Sequence, residues 1–361
     1  MTVGILGLGL IGGSMASAYA KAGHTVLAAE KDSDIFSFAT LSGAVHGILD
    51  ETTIGSCELI LLAIYPGGSV AWLEQNAPLV DRNALVMDCC GIKREVCSRC
   101  FPLAEKYGFT FIGGHPMAGS EKTGVQNSKR ILLENAYYIL TPTRQVAPEL
   151  LEKYRTLVTS LKALPLILTC EEHDFATGAI SHLPHIIASS LVNLIKDSDT
   201  EKHTMKTIAA GGFKDITRIA SSSPEMWEQI CATNKDNILT ILSRYIDSLE
   251  SIRSSLKNQE KDAIHHLFAD SREYRNSISD TSQGPLPKSH SLYCDMVDEA
   301  GGIAALATIL ATNGISIKNI GIVHNREFEE AVLHVEFYEE SALKNAVELL
   351  RKYRYVIYER S

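Results

Sequence analysis

No stretch of this chain is strongly basic. Asp and Glu outnumber Lys and Arg by 43 to 34, for a formal charge of −9. That excludes the basic footprint of a nucleic-acid binder, so no nucleic-acid partner is expected. No apolar stretch reads as long enough to cross a bilayer, so no membrane partner is expected either. A secretory leader is also not expected, because the first residues already read as a strand. The eight cysteines are scattered. Cys97 and Cys100 form a CxxC, and Cys89 and Cys90 are adjacent, but no second pair completes a metal site. Reduced thiols in a cytoplasmic setting, with no metal, are the expectation.

What is present is ordinary globular composition, with 45% hydrophobic and 21% charged residues. At 361 residues, two or three domains are expected. The strongest local signal is at the start, MTVGILGLGLIGGS. A short apolar run ends in Gly7, Leu8, Gly9, Leu10, Ile11 and Gly12, and a helix-compatible segment follows. Read as strand, turn and helix, this is a dinucleotide fingerprint. Gly7 allows the sharp turn, Gly9 lets backbone approach a pyrophosphate, and Gly12 lets the helix lie on its strand. The helix N-terminus then faces the phosphates. A second strand ends in Glu30, placed for the ribose 2′-hydroxyl, which favours NAD; Lys31 beside it leaves NADP open.

Residues 1–168 alternate apolar runs with helical patterns, the runs falling at 3–6, 25–29, 59–64, 84–87, 110–112, 137–140 and 164–168. This rhythm predicts βαβ units, a doubly wound and mainly parallel Rossmann-like sheet, with ligands beyond the carboxyl ends of the strands. Tyr65 and Pro66 lie at one such end and join the cofactor-side candidates. His115 lies at another, where an imidazole suits taking a hydroxyl proton while a hydride leaves the same carbon.

From residue 169 to 278 the strand signal disappears. An apolar stripe covers 185–196, and Ile238, Leu242, Tyr245, Leu249, Ile252 and Leu256 recur at heptad spacing. An all-helical second domain is predicted, with the heptad packed in a bundle or across a subunit seam. Ser181 and His185 flank Pro184 at a predicted helix start. His173 and Asp174 read as an orienting pair or as a simple helix start. Lys214, Asp215 and Arg218 lie in a glycine-led segment, where Arg218 suits a carboxylate and Asp215, one turn earlier, suits pairing with it.

Residues 279–290 read as a linker, being polar and holding Gly284, Pro285 and Pro287. Residues 291–361 then follow a βαββαβ order, a ferredoxin-like arrangement. Within its second strand the apolar parity shifts near Asn319 and Ile320, which predicts a bulge.

GLGLIGGS, DCCGIK, HPMAGSEKTG, HDFATGAISHLPH and GGFKDITRIASSSPEMW, in this order, resemble the prephenate dehydrogenase family of tyrosine biosynthesis, over about residues 1–275. Residues 291–361 resemble an ACT domain, an amino-acid-sensing module, with Asp298, Gly301, Gly302 and Ile303 at its turn. The resemblance implies NAD(P)-dependent oxidative decarboxylation of prephenate to 4-hydroxyphenylpyruvate by a homodimer, with an aromatic amino acid as effector. By motif, His115 takes the ring hydroxyl proton, Arg218 binds a substrate carboxylate, and Ser181 and His185 line the pocket. Glu121 and Asp215 gate the site, and Lys214 adds positive field. One position departs. The family usually has a serine two residues before the lysine of the DCCGIK motif, where this chain has Gly91. Ser120 or a water is then expected to orient His115. The alternatives are arogenate as substrate, a hydroxy-acid dehydrogenase using a catalytic lysine, and a non-catalytic nucleotide and amino-acid sensor.

Overall fold

The first strand, β1 (Thr2–Leu6), is buried from Val3 onward and is the third strand across an eight-stranded sheet. In the computed structural model, residues 1–118, 132–143, 146–278, 290–296, 301–323 and 331–358 are described. The other strands are β2 (Thr25–Ala29), β3 (Gly47–Ile48), β4 (Leu59–Leu62), β5 (Leu85–Asp88), β6 (Thr110–Pro116), β7 (Tyr137–Thr141) and β8 (Leu164–Ile167). Their order is β3-β2-β1-β4-β5-β6-β7-β8. All neighbours run parallel except β6 and β7, which are antiparallel. The order reverses between β2 and β4, on either side of β1, and that is where a parallel sheet opens a crevice for ligands.

Five helices cover the sheet: α1 (Leu10–Lys21), α2 (Ser33–Leu41), α3 (Pro66–Asn76), α4 (Arg94–Tyr107) and α5 (Pro148–Ser160). Successive residues of a strand point to opposite faces. Leu59 and Leu61 of β4 accordingly join one core layer with residues of α1 and α5, while Ile60 and Leu62 join the other with α3 and α4. Residues buried on both faces explain why these strands read as unbroken apolar runs rather than alternating ones.

Two differences from the sequence reading concern strands. The two-residue β3 was too short to register. β6 runs on through His115 and Pro116, because β7 pairs with them antiparallel. His115 is therefore held inside a strand rather than in the turn after it.

Seven helices follow: α6 (Cys170–Thr177), α7 (Leu183–Ser198), α8 (Thr204–Ile208), α9 (Gly211–Thr217), α10 (Pro224–Thr233), α11 (Lys235–Lys257) and α12 (Lys261–Ser277). A π-helical turn, Gly178–His182, joins α6 to α7. Together they make one run, Cys170–Ser198, of 29 residues. By length and composition alone this run could cross a membrane, which corrects the expectation that no stretch would. His173, Asp174 and His182 break its apolar pattern, and all three are buried in polar contacts with other segments. The heptad residues lie on α11. Ile238 is buried, whereas Leu249 and Leu256 are exposed in the single chain.

The chain divides into two compact units, Met1–Gly284 and Pro285–Ser361. The second holds β9 (His290–Met296), α13 (Gly302–Thr312), β10 (Ile317–Val323), β11 (Ala331–Phe337), α14 (Glu340–Lys352) and β12 (Ile357–Tyr358). Its small antiparallel sheet has the order β10-β11-β9-β12 over its own apolar core. The pairing of β10 with β11 shifts register between Ile317 and Asn319, where the parity change predicted a bulge.

The β1–α1 turn is closely packed. Gly7 has φ +89°, and an added Cβ on Gly12 would lie 2.0 Å from the Gly7 carbonyl oxygen. Backbone cannot yield as a flexible side chain can. Gly12→Ala is expected to lower unfolding stability by about 1–3 kcal/mol or more, read as a lower urea midpoint at unchanged slope.

Candidate active site

A cleft of about 840 Å³ runs from the β1–α1 turn to the helical segment. At one end lie Gly7, Gly9, Ile11, Glu30 and Lys31. Tyr65 and Pro66, at the start of α3, flank it. At the other end lie Ser181, His182, His185 and Arg218, with Trp227 of α10. His115 and Gly91 sit between these ends.

The nucleotide end is built from backbone. Leu8 is buried, and its N–H donates to Glu30 Oε2 at 2.7 Å, tying the glycine turn to the end of β2. Glu30 also accepts from the N–H groups of Lys31 and Asp32, at 2.8 and 3.2 Å. Leu10 begins α1, and Gly12 is buried against Gly7. A Cβ built on Gly9 would meet nothing within 4 Å, and no side chain caps α1 there. Open space before an uncapped helix N-terminus fits a pyrophosphate.

The middle of the cleft rests on a buried ion pair. Lys93 and Asp88 are fully buried and bonded to each other. The Lys93 ammonium also donates to the Gly114 carbonyl, and the Gly114 N–H donates to Asp88 Oδ1 at 3.0 Å. Burial pushes the Lys93 ammonium toward its neutral form, but the Asp88 carboxylate outweighs this and raises its pKa above the ordinary lysine range. The pair thus locks the residue before His115.

The His115 imidazole is half-buried, and its Nδ1 lies 2.8 Å from His173 Nε2. His173 Nδ1 lies 2.7 Å from Asp174 Oδ1. Asp174 accepts in turn from the N–H groups of Lys93 and Arg94, at 2.7 and 2.9 Å. Burial holds the His115 pKa well below the ordinary histidine value, with His173, Lys93 and His182 adding repulsion. Burial also lowers His173, against the pull of Asp174. It takes His182 down to about 4.

At the far end, His185 stacks on Trp227 with ring centroids 3.9 Å apart, and its Nδ1 lies 2.8 Å from the Ser181 carbonyl. Burial lowers its pKa, opposed by that hydrogen bond, while the Arg218 guanidinium pushes it down further. Arg218 is exposed and lines the cleft; Lys214 and Asp215 are exposed on α9 and do not line it. Ser120, Glu121 and Asp298 lie outside the described residues. Gly301 caps α13 at φ +97°, Gly302 begins that helix, Ile303 is exposed, and Asn319 and Ile320 follow the register shift in β10.

The structure therefore brings together most of the candidates from both halves of the first unit. It adds His182, Trp227 and Asn234, whose roles the sequence reading missed. Asn234 is buried and donates to the Asp174 carbonyl at 2.7 Å, with His182 Nδ1 at 3.0 Å. A buried asparagine between two apolar helices carries no motif signal; the PEMW run around Trp227 was visible but had no assigned part.

Comparison with known proteins agrees with this arrangement. A model described as the prephenate dehydrogenase nucleotide-binding domain matches residues 15–165, and one described as its dimerization domain matches residues 169–270. The prephenate dehydrogenase of Bacillus subtilis is 34% identical over 350 residues, covering 96% of this chain and 94% of that one. That of Lactococcus lactis is 33% identical over 354 residues, covering 96% and 97%. The structure of prephenate dehydrogenase from Aquifex aeolicus, in complex with hydroxyphenyl propionate and NAD+, matches with a TM-score of 0.71 at 26% identity, covering 77% of this chain and 98% of that one. Matches across both halves of the first unit, and over nearly the whole chain in the two bacterial relatives, show that this chain belongs to the prephenate dehydrogenase family.

Proposed function

We propose that the chain is an NAD-dependent prephenate dehydrogenase, a cytoplasmic homodimer of L-tyrosine biosynthesis that forms 4-hydroxyphenylpyruvate. The observation that carries this reading is His115, set between a dinucleotide-shaped turn and Arg218 in one continuous cleft. Bound nicotinamide supplies the hydride acceptor. Arg218 binds a substrate carboxylate, and Ser181 and His185 line the ring. As the ring C–H bond breaks, the hydroxyl O–H electrons close a carbonyl and the proton passes to His115. The carboxylate–ring bond then breaks, carbon dioxide leaves, and its electrons make the ring aromatic. The phenolate takes the proton back, so none is released. Exposed Leu249 and Leu256 on α11, with Phe268 at 67% exposure on α12, support pairing of this apolar face with a second copy.

His115→Asn is expected to cut kcat about 10²–10⁴-fold in an assay of prephenate-dependent NADH formation. Near wild-type turnover would exclude this mechanism, and a strong preference for arogenate in the same assay would reassign the substrate. The pH profile carries a second outcome. The base must be neutral, and its pKa is lowered, so activity is lost only as pH falls through that lowered value. The acid limb of kcat/KM is expected below the ordinary histidine pKa of about 6.5.

We further propose that the second unit is a ferredoxin-like ACT module that binds tyrosine or phenylalanine at Asp298, Gly301, Gly302, Ile303, Asn319 and Ile320. Its βαββαβ order, the left-handed Gly301 and the register shift beside Asn319 support this. Titration calorimetry on the full chain is expected to show heat with one of these amino acids, accompanied by lowered activity. No heat and unchanged kinetics would leave the unit a structural module.

A further inference from the structure

Gly91 stands where the family usually has a serine, and the structure shows a different support for His115. A Cβ built on Gly91 would lie 3.9 Å from both Cε1 and Nε2 of His115. Position 91 therefore faces the Nε2 side of the ring. The contact that fixes the ring is on its other side, at Nδ1, and comes from His173.

The proton positions along this chain follow from its far end. Asp174 receives the N–H groups of Lys93 and Arg94, at the N-terminus of α4, and the Arg94 Nε at 3.4 Å. Burial pushes its carboxyl up, but the His173 hydrogen bond and these backbone N–H groups outweigh it and hold it below the usual carboxylate range. A carboxylate only accepts, so His173 carries its proton on Nδ1. The pKa of His173 is lowered, so it is neutral and its Nε2 is an acceptor. His115 Nδ1 must then be the donor across 2.8 Å. His115, also neutral, is left with a bare Nε2 on the Gly91 side, and among the described residues nothing bonds to it.

We propose that His173 and Asp174 are positioning residues that hold His115 in its Nδ1–H tautomer and share the proton it accepts. The proposal rests on the dehydrogenase reading above. When the substrate hydroxyl breaks its O–H bond, that proton forms a bond to His115 Nε2. The Nδ1–H proton of His115 then passes to His173 Nε2. The Lys93 ammonium repels a charge on either ring, and the transfer brings the positive charge to the ring 2.7 Å from a carboxylate. Both transfers reverse when the phenolate reclaims its proton, so no further acid, base or oxidant is needed. Among the described residues, the remaining ionisable groups facing the pair are Lys93 and Asp88 beside the sheet and His182 on the π-helical turn.

The test combines spectroscopy on the full chain without ligands and kinetics on the same variants. The 15N spectrum of histidine-labelled protein is expected to show His115 protonated at Nδ1, assigned by its loss in His115→Asn. In His173→Leu this fixed tautomer is expected to give way to a mixture. The same variant is expected to lose about 10²-fold in kcat, with KM for prephenate within about twofold. His173→Gln, whose amide oxygen accepts from Nδ1–H without taking the proton, is expected to restore the tautomer and part of kcat. It also serves if the leucine variant does not fold. A His115 protonated at Nε2 in the unmutated protein, or His173→Leu turnover within about twofold of wild type, would overturn the proposal. An unmutated protein with no prephenate-dependent NADH formation would remove the functional reading instead, and the 15N measurement would still decide the tautomer.

Discussion

Asp174 is the carboxylate on which the first unit depends. It sits on α6, yet both of its oxygens accept from the backbone at the start of α4. The first N–H groups of a helix have no partner within it, and the positive end of the helix dipole lies there. One acidic side chain answers both needs and crosses from the helical segment to the nucleotide half in doing so. Asn234 adds a second crossing, since its Oδ1 accepts from Arg94 Nη2 at 3.3 Å while its Nδ2 holds the Asp174 carbonyl. The walls of the cleft are therefore placed by short polar bonds with fixed directions, which apolar contact alone does not supply.

The Asp88–Lys93 pair performs the corresponding task within the sheet. Buried ion pairs contribute little net stability against an apolar replacement, because both charges lose their water. Their value is geometric. Asp88 ends β5, Lys93 precedes α4, and both bond to Gly114 of β6. The loop holding Gly91 is thereby held against the residue next to His115. Removing either partner would leave the other buried without its counter-charge, held only by its bond to Gly114 or neighbouring backbone.

How far these features were legible in the sequence depended on how local they were. The glycine turn, Glu30 and the strand that leads to His115 were readable because each is a short pattern with a backbone reason. The parity change at Asn319 was readable for the same reason. His173 and Asp174 were noticed, but not their target, since His115 is 58 residues away along the chain. The extension of β6 depended on β7 arriving antiparallel, which no local pattern states. The helical run 170–198 hid its length because its polar residues look like interruptions until the structure shows what they bond.

The charges around the cleft bear on how a base there can both take and return a proton. Among the described residues lining it, Glu30 is the one carboxylate, and it lies at the nucleotide end. The far end holds Arg218 and imidazoles kept neutral by burial. A substrate with two carboxylates brings negative charge into this region and makes an imidazole easier to protonate. On the proposed reaction, carbon dioxide leaves neutral and the electrons of one carboxylate bond pass through the ring to its oxygen. The negative charge then sits on the ring oxygen, which takes the proton back from the imidazolium. A buried histidine of low basicity is suited to this cycle, because it charges only while the substrate's own anion supports it.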